Sequence, residues 1–140
     1  MKFNRKRAFL LVIIACACML LLYGLTYLPR KMMDANPQEV SQITIFDGGS
    51  GYELDITDPA TIEHIVSDIG GVTFTKNKFA LGYMGYSYRL TAYNHKGKVI
   101  NRFIINSEDT VRYKGFFYKA QGETVDYEYL RQLASANTSR

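Results

Sequence analysis

The chain begins with a long uncharged apolar segment close to its amino terminus. Residues 8–28, AFLLVIIACACMLLLYGLTYL, contain no charged side chain. A helix of this length rises roughly 30 Å, which matches the hydrocarbon thickness of a bilayer. Tyr23 and Tyr27 stand near its end, as aromatic residues do at membrane interfaces, and Pro29 terminates the pattern. We therefore expect residues 8–28 to form an uncleaved transmembrane signal-anchor helix.

The basic residues on either side of this segment predict its orientation. Four Lys and Arg residues precede it within residues 1–7, whereas only Arg30 and Lys31 follow it closely. Because positively charged flanks stay in the cytoplasm, residues 1–7 are expected to be a cytoplasmic basic segment. The expected location is the cell membrane, crossed once, with the C-terminal domain outside the cytoplasm.

Cys16 allows a second interpretation of the same segment. Ile13-Ile14-Ala15-Cys16 is similar to the bacterial lipobox, in which a small residue precedes the lipidated cysteine. After Cys16 the chain stays apolar for about three helical turns, whereas mature lipoproteins usually continue into a polar tether. A lipoprotein lipidated at Cys16 is therefore the alternative to the uncleaved anchor.

Residues 29–38 are expected to form a juxtamembrane linker, in which Met32 and Met33 are available to the bilayer surface. Beyond this linker, the pattern changes to the two-residue period of strands. VSQITIFD and YELDIT flank the glycine-rich turn DGGSG and predict a hairpin. Four further strand-like segments follow: VTFTK, YSYRLTAYN, KVINRFIIN and TVRYKGFFYKA. The glycine-punctuated segment FALGYMGY is expected to be a mobile loop or a bulged strand.

Two segments have the spacing of helices. After the expected N-cap Asp58, four apolar residues recur at the helical period and form one stripe: Ile62, Ile65, Val66 and Ile69. Gly70 and Gly71 are the expected left-handed stop of this helix. A shorter helix follows Asp126 and is expected to dock through Leu130 and Leu133.

These elements predict an α+β fold. Residues 39–134 are expected to form one extracytoplasmic domain with the order ββαββββα, an antiparallel sheet and one or two helices packed on one face. Residues 135–140 are expected to be a disordered tail.

Composition changes this picture in two respects. The net charge of +4 is basic, but six of the 17 Lys and Arg residues flank the apolar segment, leaving 11 against 13 Asp and Glu. This distribution argues against a nucleic-acid partner.

Both cysteines, Cys16 and Cys18, lie inside the apolar segment. The remaining domain therefore has no disulfide, thiol nucleophile or cysteine metal site.

The sequence contains no recognisable catalytic pattern. His64 and His95 lie near no patterned partner in the sequence, lack any metal-binding spacing and are expected to be solvated. Asp47, Glu53 and Asp55 flank a glycine turn, but the alternating ligands of a calcium loop are missing. We expect no catalytic residue, no metal and no cofactor, and a protein that is not an enzyme.

Acidic and basic residues occupy different parts of the chain. Residues 34–68 contain eight acidic side chains and no Lys or Arg, whereas residues 76–119 contain nine basic side chains against Glu108 and Asp109. Pairing of strands would interleave these charges, with little effect on stability. Alternatively they form a basic face for an anionic envelope polymer, lipid head groups or an acidic partner. The candidate binding residues on that face are Tyr83, Tyr86, Arg89, Tyr93, Lys96, Lys98, Arg112 and Lys114.

Three segments, ITDPATIEHIVSDI, YRLTAYNHKGKVINRFIIN and VRYKGFFY, carry a loose resemblance over residues 40–133. They resemble small membrane-anchored or lipoprotein extracytoplasmic domains of uncharacterised function from Gram-positive bacteria. The shared motifs are structural: a helix beginning at Asp-Pro, a hairpin around Gly-Lys and an aromatic strand. The resemblance implies an envelope location and no activity, and no functional residue is carried over.

The expected function follows from an anchored domain that lacks catalytic motifs. Besides the lipid bilayer, its expected partner is a membrane or envelope protein, a peptide or an anionic envelope component, bound without catalysis. An accessory or assembly subunit of a membrane complex, joined through the span, is the alternative. An immunity or inhibitor protein also fits the small size.

Overall fold

The computed structural model describes residues 4–138 and shows an α+β protein with an eight-stranded antiparallel sheet. The helices are α1 (Arg5–Leu25), α2 (Pro59–Gly71) and α3 (Tyr127–Thr138). A short 3₁₀ helix, Pro37–Glu39, precedes the second strand. The strands are β1 (Arg30–Lys31), β2 (Val40–Asp47), β3 (Glu53–Ile56), β4 (Thr73–Phe79), β5 (Tyr88–Asn94), β6 (Val99–Ile105), β7 (Thr110–Tyr113) and β8 (Phe116–Ala120).

The strand order determines how the chain must cross the sheet. The order is β1-β4-β8-β7-β6-β5-β2-β3, and every neighbouring pair is antiparallel. Three strands separate β4 from β5, so these two consecutive strands run in the same direction. Residues 80–87, which we call the strap, must therefore pass from one end of the sheet to the other.

The strand directions also define two ends of the sheet. Because β1 is antiparallel to β4, the chain enters β1 from the end where β4 finishes. The terminus of α1 lies on this side, where the Lys76 ammonium donates a hydrogen bond of 3.0 Å to the Thr26 hydroxyl. We call it the α1 end, and the opposite one the distal end. The β5–β6 and β7–β8 turns lie at the α1 end, and the β2–β3 and β6–β7 turns lie at the distal end.

One face of the sheet packs against α2 and α3 and forms the core. The apolar stripe of α2 is buried as predicted, and it meets Ile43, Ile45, Leu90 and Ile105 from the central strands. Each such side chain contributes roughly 1.5–3 kcal/mol on burial. Leu130 of α3 is buried in the same core, and Leu133 packs against it, so the predicted docking of α3 is confirmed.

The predicted start of α2 is confirmed, but its predicted stop is wrong. The Asp58 carboxylate accepts a hydrogen bond of 2.9 Å from the Thr61 amide, as an N-cap does. The helix continues through Gly70 and Gly71, and the next residue, Val72, is extended rather than left-handed. Gly70 has a packing role, because a Cβ there would lie 3.0 Å from the Met33 carbonyl oxygen.

Residues 29–38 are part of the fold rather than a simple linker. Arg30 and Lys31 form β1, which pairs with β4 at the edge of the sheet. Met32 and Met33, expected at the bilayer surface, are instead buried in the core beside α2. Two adjacent apolar residues have no periodicity, so the sequence pattern gave no signal for this burial.

The predicted strand order also differs at the C-terminal side. TVRYKGFFYKA forms two strands rather than one, because Lys114 and Gly115 take positive φ values of 46° and 80° and reverse the chain. Together with β1, this division gives three strands before α2 and five after it, whereas two and four were predicted. The helix α3 continues to Thr138, so residues 135–138 are helical and not a tail. Residues 1–3 and 139–140 lie outside the described residues.

The helix α1 differs from the rest of the molecule in its surface. Among the described residues it is the one helix long and apolar enough to cross a membrane, with a mean hydropathy of 2.7. None of its residues is buried. An exposed apolar surface of this size is unfavourable in water.

Truncation of the α2 stripe should destabilise the domain. Ile69 is 0% exposed, so Ile69→Ala leaves a cavity and should lower the free energy of unfolding by about 2–5 kcal/mol. The same truncation at Ile100, which is 37% exposed, should cost about 1 kcal/mol or less. Urea unfolding of the full chain in detergent, followed by near-UV circular dichroism of its 11 tyrosines, measures both. Equal losses in the two variants would contradict this packing.

Acid should weaken the β6–β7 turn through Asp109. Hydrogen bonds from Lys119, Thr110 and Ser107 hold the pKa of Asp109 at about 2, below its ordinary value of 3.8. Because the folded-state pKa is the lower one, the stabilisation is complete above pH 3.8 and is lost as the pH falls towards 2. Asp109→Asn should remove this part of the acid dependence of unfolding, and Lys119→Gln should reduce it. Unfolding curves for Asp109→Asn that follow the wild type from pH 4 to pH 2 would disprove the assignment.

Candidate functional site

The face of the sheet opposite the helices, which we call the open face, carries arginines between aromatic rings. The Arg89 guanidinium lies 4.7 Å from the centre of the Phe46 ring and 5.9 Å from that of Tyr86. The Arg112 guanidinium lies 5.9 Å from the Tyr86 ring and 5.8 Å from the Phe117 ring. The strand register produces this row, because Phe46 pairs with Arg89, and Arg112 pairs with Phe117. A cation above an aromatic ring is attracted electrostatically by the ring face, and this attraction stabilises an arginine without requiring a carboxylate partner.

The strap lies across part of this face and is held there by backbone contacts. The Arg112 guanidinium donates hydrogen bonds to the carbonyl oxygens of Tyr83 and Gly85. Near the distal end, the Gly48 amide donates a hydrogen bond of 2.8 Å to the Ser87 carbonyl. A Cβ at Gly48 would lie 2.5 Å from the Tyr86 carbonyl oxygen, so glycine is required for this close approach. The segment FALGYMGY, predicted as a mobile loop or a bulged strand, thus forms most of the strap, a crossover loop that hydrogen bonds hold against the sheet.

The strap has a polar underside and an apolar outer surface. Leu81 and Met84 are 79% and 88% exposed. Beneath the strap, the Arg112 Nε and the Asn106 Oδ1 are buried without a hydrogen-bond partner among the described residues. Buried polar groups of this kind cost free energy, so the strap covers the sheet with incomplete polar contacts.

The part of the open face that the strap leaves uncovered contains a hollow of about 240 Å³. The Arg102 Nε donates a hydrogen bond of 3.2 Å to the Thr91 hydroxyl on its floor. The Thr44 hydroxyl donates one of 2.6 Å to Asp55. We call this site the arginine hollow, and its lining residues are Thr44, Phe46, Glu53, Arg89, Thr91, Tyr93 and Arg102.

The charges of the arginine hollow favour an anionic group. Among its lining residues, Arg89 and Arg102 contribute two permanent positive charges and Glu53 one carboxylate, and the Asp55 carboxylate bonded to Thr44 lies beside them. Guanidinium groups present planar sets of donors that match carboxylate or phosphate oxygens. The hollow has room for such a head group rather than for a whole small molecule of drug size. Its chemistry therefore fits a carboxylate or phosphate on a larger ligand.

The structure separates the predicted binding residues into two groups. Tyr83, Tyr86, Arg89 and Arg112 come together on the open face, and Tyr93 lines the arginine hollow. The other three residues lie in turns at the α1 end: Lys96 and Lys98 between β5 and β6, and Lys114 between β7 and β8.

Sequence reasoning missed three residues of the open face. Phe46, Arg102 and Phe117 were not predicted, although each lies in a segment with strand periodicity. The alternation of VSQITIFD and KVINRFIIN places Phe46 and Arg102 opposite the buried residues of the same strands. Only the pairing of strands that are distant in sequence brings the three residues onto one surface.

Both histidine side chains are exposed, as expected, and each contacts a neighbouring residue. The His64 Nε2 lies 3.5 Å from Asp126, and the His64 ring contacts Tyr129. His95 shares a hydrogen bond of 2.9 Å with the Gln38 carbonyl. These contacts join the helices and the β5–β6 turn to their neighbours, and neither histidine lines the arginine hollow.

The remaining candidates from the sequence have structural environments of their own. Asp47 accepts hydrogen bonds from Ser50 and Gly49, which lower its pKa, so it closes the β2–β3 turn. The described residues contain no group of three or more side chains that could hold a metal ion. Cys16 is exposed midway along the continuous helix α1.

Comparison of the chain with protein-family models, curated proteins and solved structures finds no match. The resemblance to anchored domains of Gram-positive bacteria therefore stays a prediction. Function has to be derived from the geometry of this chain alone.

Loss of the Arg112 contacts should loosen the strap. Arg112→Gln cannot reach both carbonyls of the strap, and hydrogen bonds from a charged donor contribute about 1.5–3 kcal/mol. Hydrogen exchange at residues 81–86 should therefore become ~10- to 150-fold faster, as mass spectrometry of the full chain can measure. Arg102 on the same face bonds to Thr91 rather than to the strap, so Arg102→Gln is the matched control and should leave these amides unchanged. Unchanged exchange in Arg112→Gln would show that other contacts hold the strap.

Proposed function

We propose that the chain is a single-pass membrane protein whose extracytoplasmic domain binds an anionic partner without catalysis. The anchor is α1, with the short basic amino-terminal segment in the cytoplasm. The partner is a membrane or envelope component that presents a carboxylate or phosphate group. The domain holds this group at the arginine hollow.

The surface of α1 supports the anchor. Its uncharged length matches a bilayer, and it has no buried residue in the structure. Tyr23 and Tyr27 contact each other near its end, with ring centres 5.5 Å apart, where interfacial aromatics belong. The distribution of basic residues supports the orientation.

The observation that carries the binding role is the arginine hollow. Two guanidinium groups, a tyrosine and two threonine hydroxyls converge on a concave part of an otherwise uncovered sheet face. Arginine and tyrosine are enriched where proteins bind partners, because each combines an apolar surface with directed hydrogen bonds. The backbone under the hollow is rigid, since its residues lie on the paired strands β2, β3, β5 and β6.

The same geometry favours binding over catalysis. His64 and His95 lie outside the hollow, and both cysteines lie in α1. Thr44 and Thr91 already bond to Asp55 and Arg102, so their hydroxyls serve to fix the floor of the site. Such an arrangement orients a charged group and gives no activated nucleophile.

Neutralising the arginine hollow should abolish partner capture. The double variant Arg89→Gln/Arg102→Gln keeps the side-chain length but removes both charges of the hollow. Chemical crosslinking in the native host, followed by purification of the full chain, should recover a partner with the wild type and not with this variant. Each lost charged contact should weaken binding by about tenfold or more.

Arg131→Gln is the matched control, because Arg131 is an exposed arginine on α3 that pairs with Glu128. It should retain the crosslinked partner. Equal recovery from the double variant and the control would overturn the role of the hollow. Reproducible turnover of a substrate by the purified full chain would overturn binding without catalysis.

A further inference from the structure

The α1 end of the sheet gathers basic residues from three separate parts of the chain. Lys96 and Lys98 come from the β5–β6 turn, Lys114 from the β7–β8 turn and Lys78 from the end of β4. Strand pairing alone places these turns side by side, because β4, β7 and β5 all run towards this end. The predicted basic face is therefore partly realised at one end of the sheet.

The turns at the distal end are acidic. Of the acidic side chains that they carry, Asp109 pairs with Lys119. The others are Asp47 in the β2–β3 turn, Glu108 in the β6–β7 turn, and Glu123 and Asp126 before α3. Acidic side chains also lie at the α1 end, where Glu39 precedes β2 and Asp58 follows β3, so the excess of positive charge at this end is confined to the turns that carry lysines.

A groove of about 780 Å³ lies between the terminus of α1 and the strands at the α1 end. Arg30, Lys31, Lys76 and Lys114 line it, together with one carboxylate, Asp34. Leu28 and Ile100 add exposed apolar surface to its walls. The groove therefore combines an excess of cations with apolar side chains, as does a binding site for lipid head groups.

The position of the groove relative to α1 is fixed by Lys76. This residue is only 8% exposed, and its ammonium lies 3.7 Å from the centre of the Phe116 ring. The rings of Tyr27 and Tyr23 lie 5.1 Å and 5.2 Å from the same ammonium. These contacts, with the bond to Thr26, hold the α1 end of the sheet against the last turn of the helix.

Exposed apolar residues surround the basic turns at this end. Phe79 is 57% exposed and contacts Phe116, whose neighbouring turn contains Lys114. Leu81 follows Ala80, whose amide donates a hydrogen bond to the Gly115 carbonyl. Basic side chains interspersed with exposed apolar ones are the composition that interfacial membrane contacts require.

We infer that the α1 end is a docking surface for the anionic phospholipid head groups of the bilayer that α1 crosses. This inference rests on the membrane anchor of the proposed function, because α1 then holds the basic turns within reach of the head groups. The covalent link gives a high effective concentration of lipid at this surface. The domain consequently lies against the membrane with the acidic distal end pointing away.

Tryptophan fluorescence can test this docking directly, since the chain has no Trp of its own. The variant Leu81→Trp places the probe at the α1 end, and Tyr52→Trp places it in the exposed β2–β3 turn at the distal end. The full chain is reconstituted into nanodiscs of brominated phosphatidylcholine, with or without about one-third phosphatidylglycerol. Bromine should quench Leu81→Trp strongly in the anionic discs and Tyr52→Trp only weakly.

Charge variants identify the cause of the quenching. The triple variant Lys96→Gln/Lys98→Gln/Lys114→Gln should lower the docking equilibrium by about fivefold for each lysine, and high salt should lower it similarly. Arg131→Gln, on α3, should have no effect. The near-UV circular dichroism of the tyrosines checks that every variant is folded.

Three outcomes would overturn the inference, in distinguishable ways. Equal quenching of the two probes, or quenching that is insensitive to phosphatidylglycerol and to the triple variant, would disprove docking while leaving the anchor intact. A chain that is not recovered with the discs would disprove the anchor and the docking together. Loss of partner capture through the arginine hollow is measured separately and is unaffected by either result.

Discussion

The ammonium group of Lys76 connects the two parts of this molecule. It is buried on β4, next to the short edge strand β1, among three aromatic rings, and its hydrogen bond goes to Thr26 just after α1. A buried lysine is costly unless its charge is compensated, and here the ring faces and the hydroxyl provide that compensation. The position of the domain relative to α1 therefore depends on one cation and the rings around it.

The antiparallel pairing then determines what the anchored domain presents. Since β4 and β5 run in the same direction, the chain must cross the sheet between them, and it does so without a helix. The strap covers only part of the open face, and the uncovered part is the arginine hollow. The same pairing sends the lysine-containing turns towards α1.

Local sequence patterns predicted the elements better than their arrangement. The stripe of α2 and its cap at Asp58 were predictable, because both depend on residues within one helical turn of each other. The burial of Met32 and Met33, the strand β1 and the division at Lys114 depend on contacts between distant segments. Arg89 was predicted as a binding residue, whereas Phe46 was not, because only the pairing of β2 with β5 makes the two residues neighbours.

The predicted basic face was one surface, whereas the structure contains two with different chemistry. On the open face, arginines are held rigidly between rings, so their donors have fixed directions and can select a particular anionic group. At the α1 end, lysines stand on turns, and a mobile point charge suits a fluid layer of head groups better than a defined ligand. In the function and docking that we propose, arginine in the sheet thus serves recognition of a partner, and lysine in the turns serves orientation of the domain on the membrane.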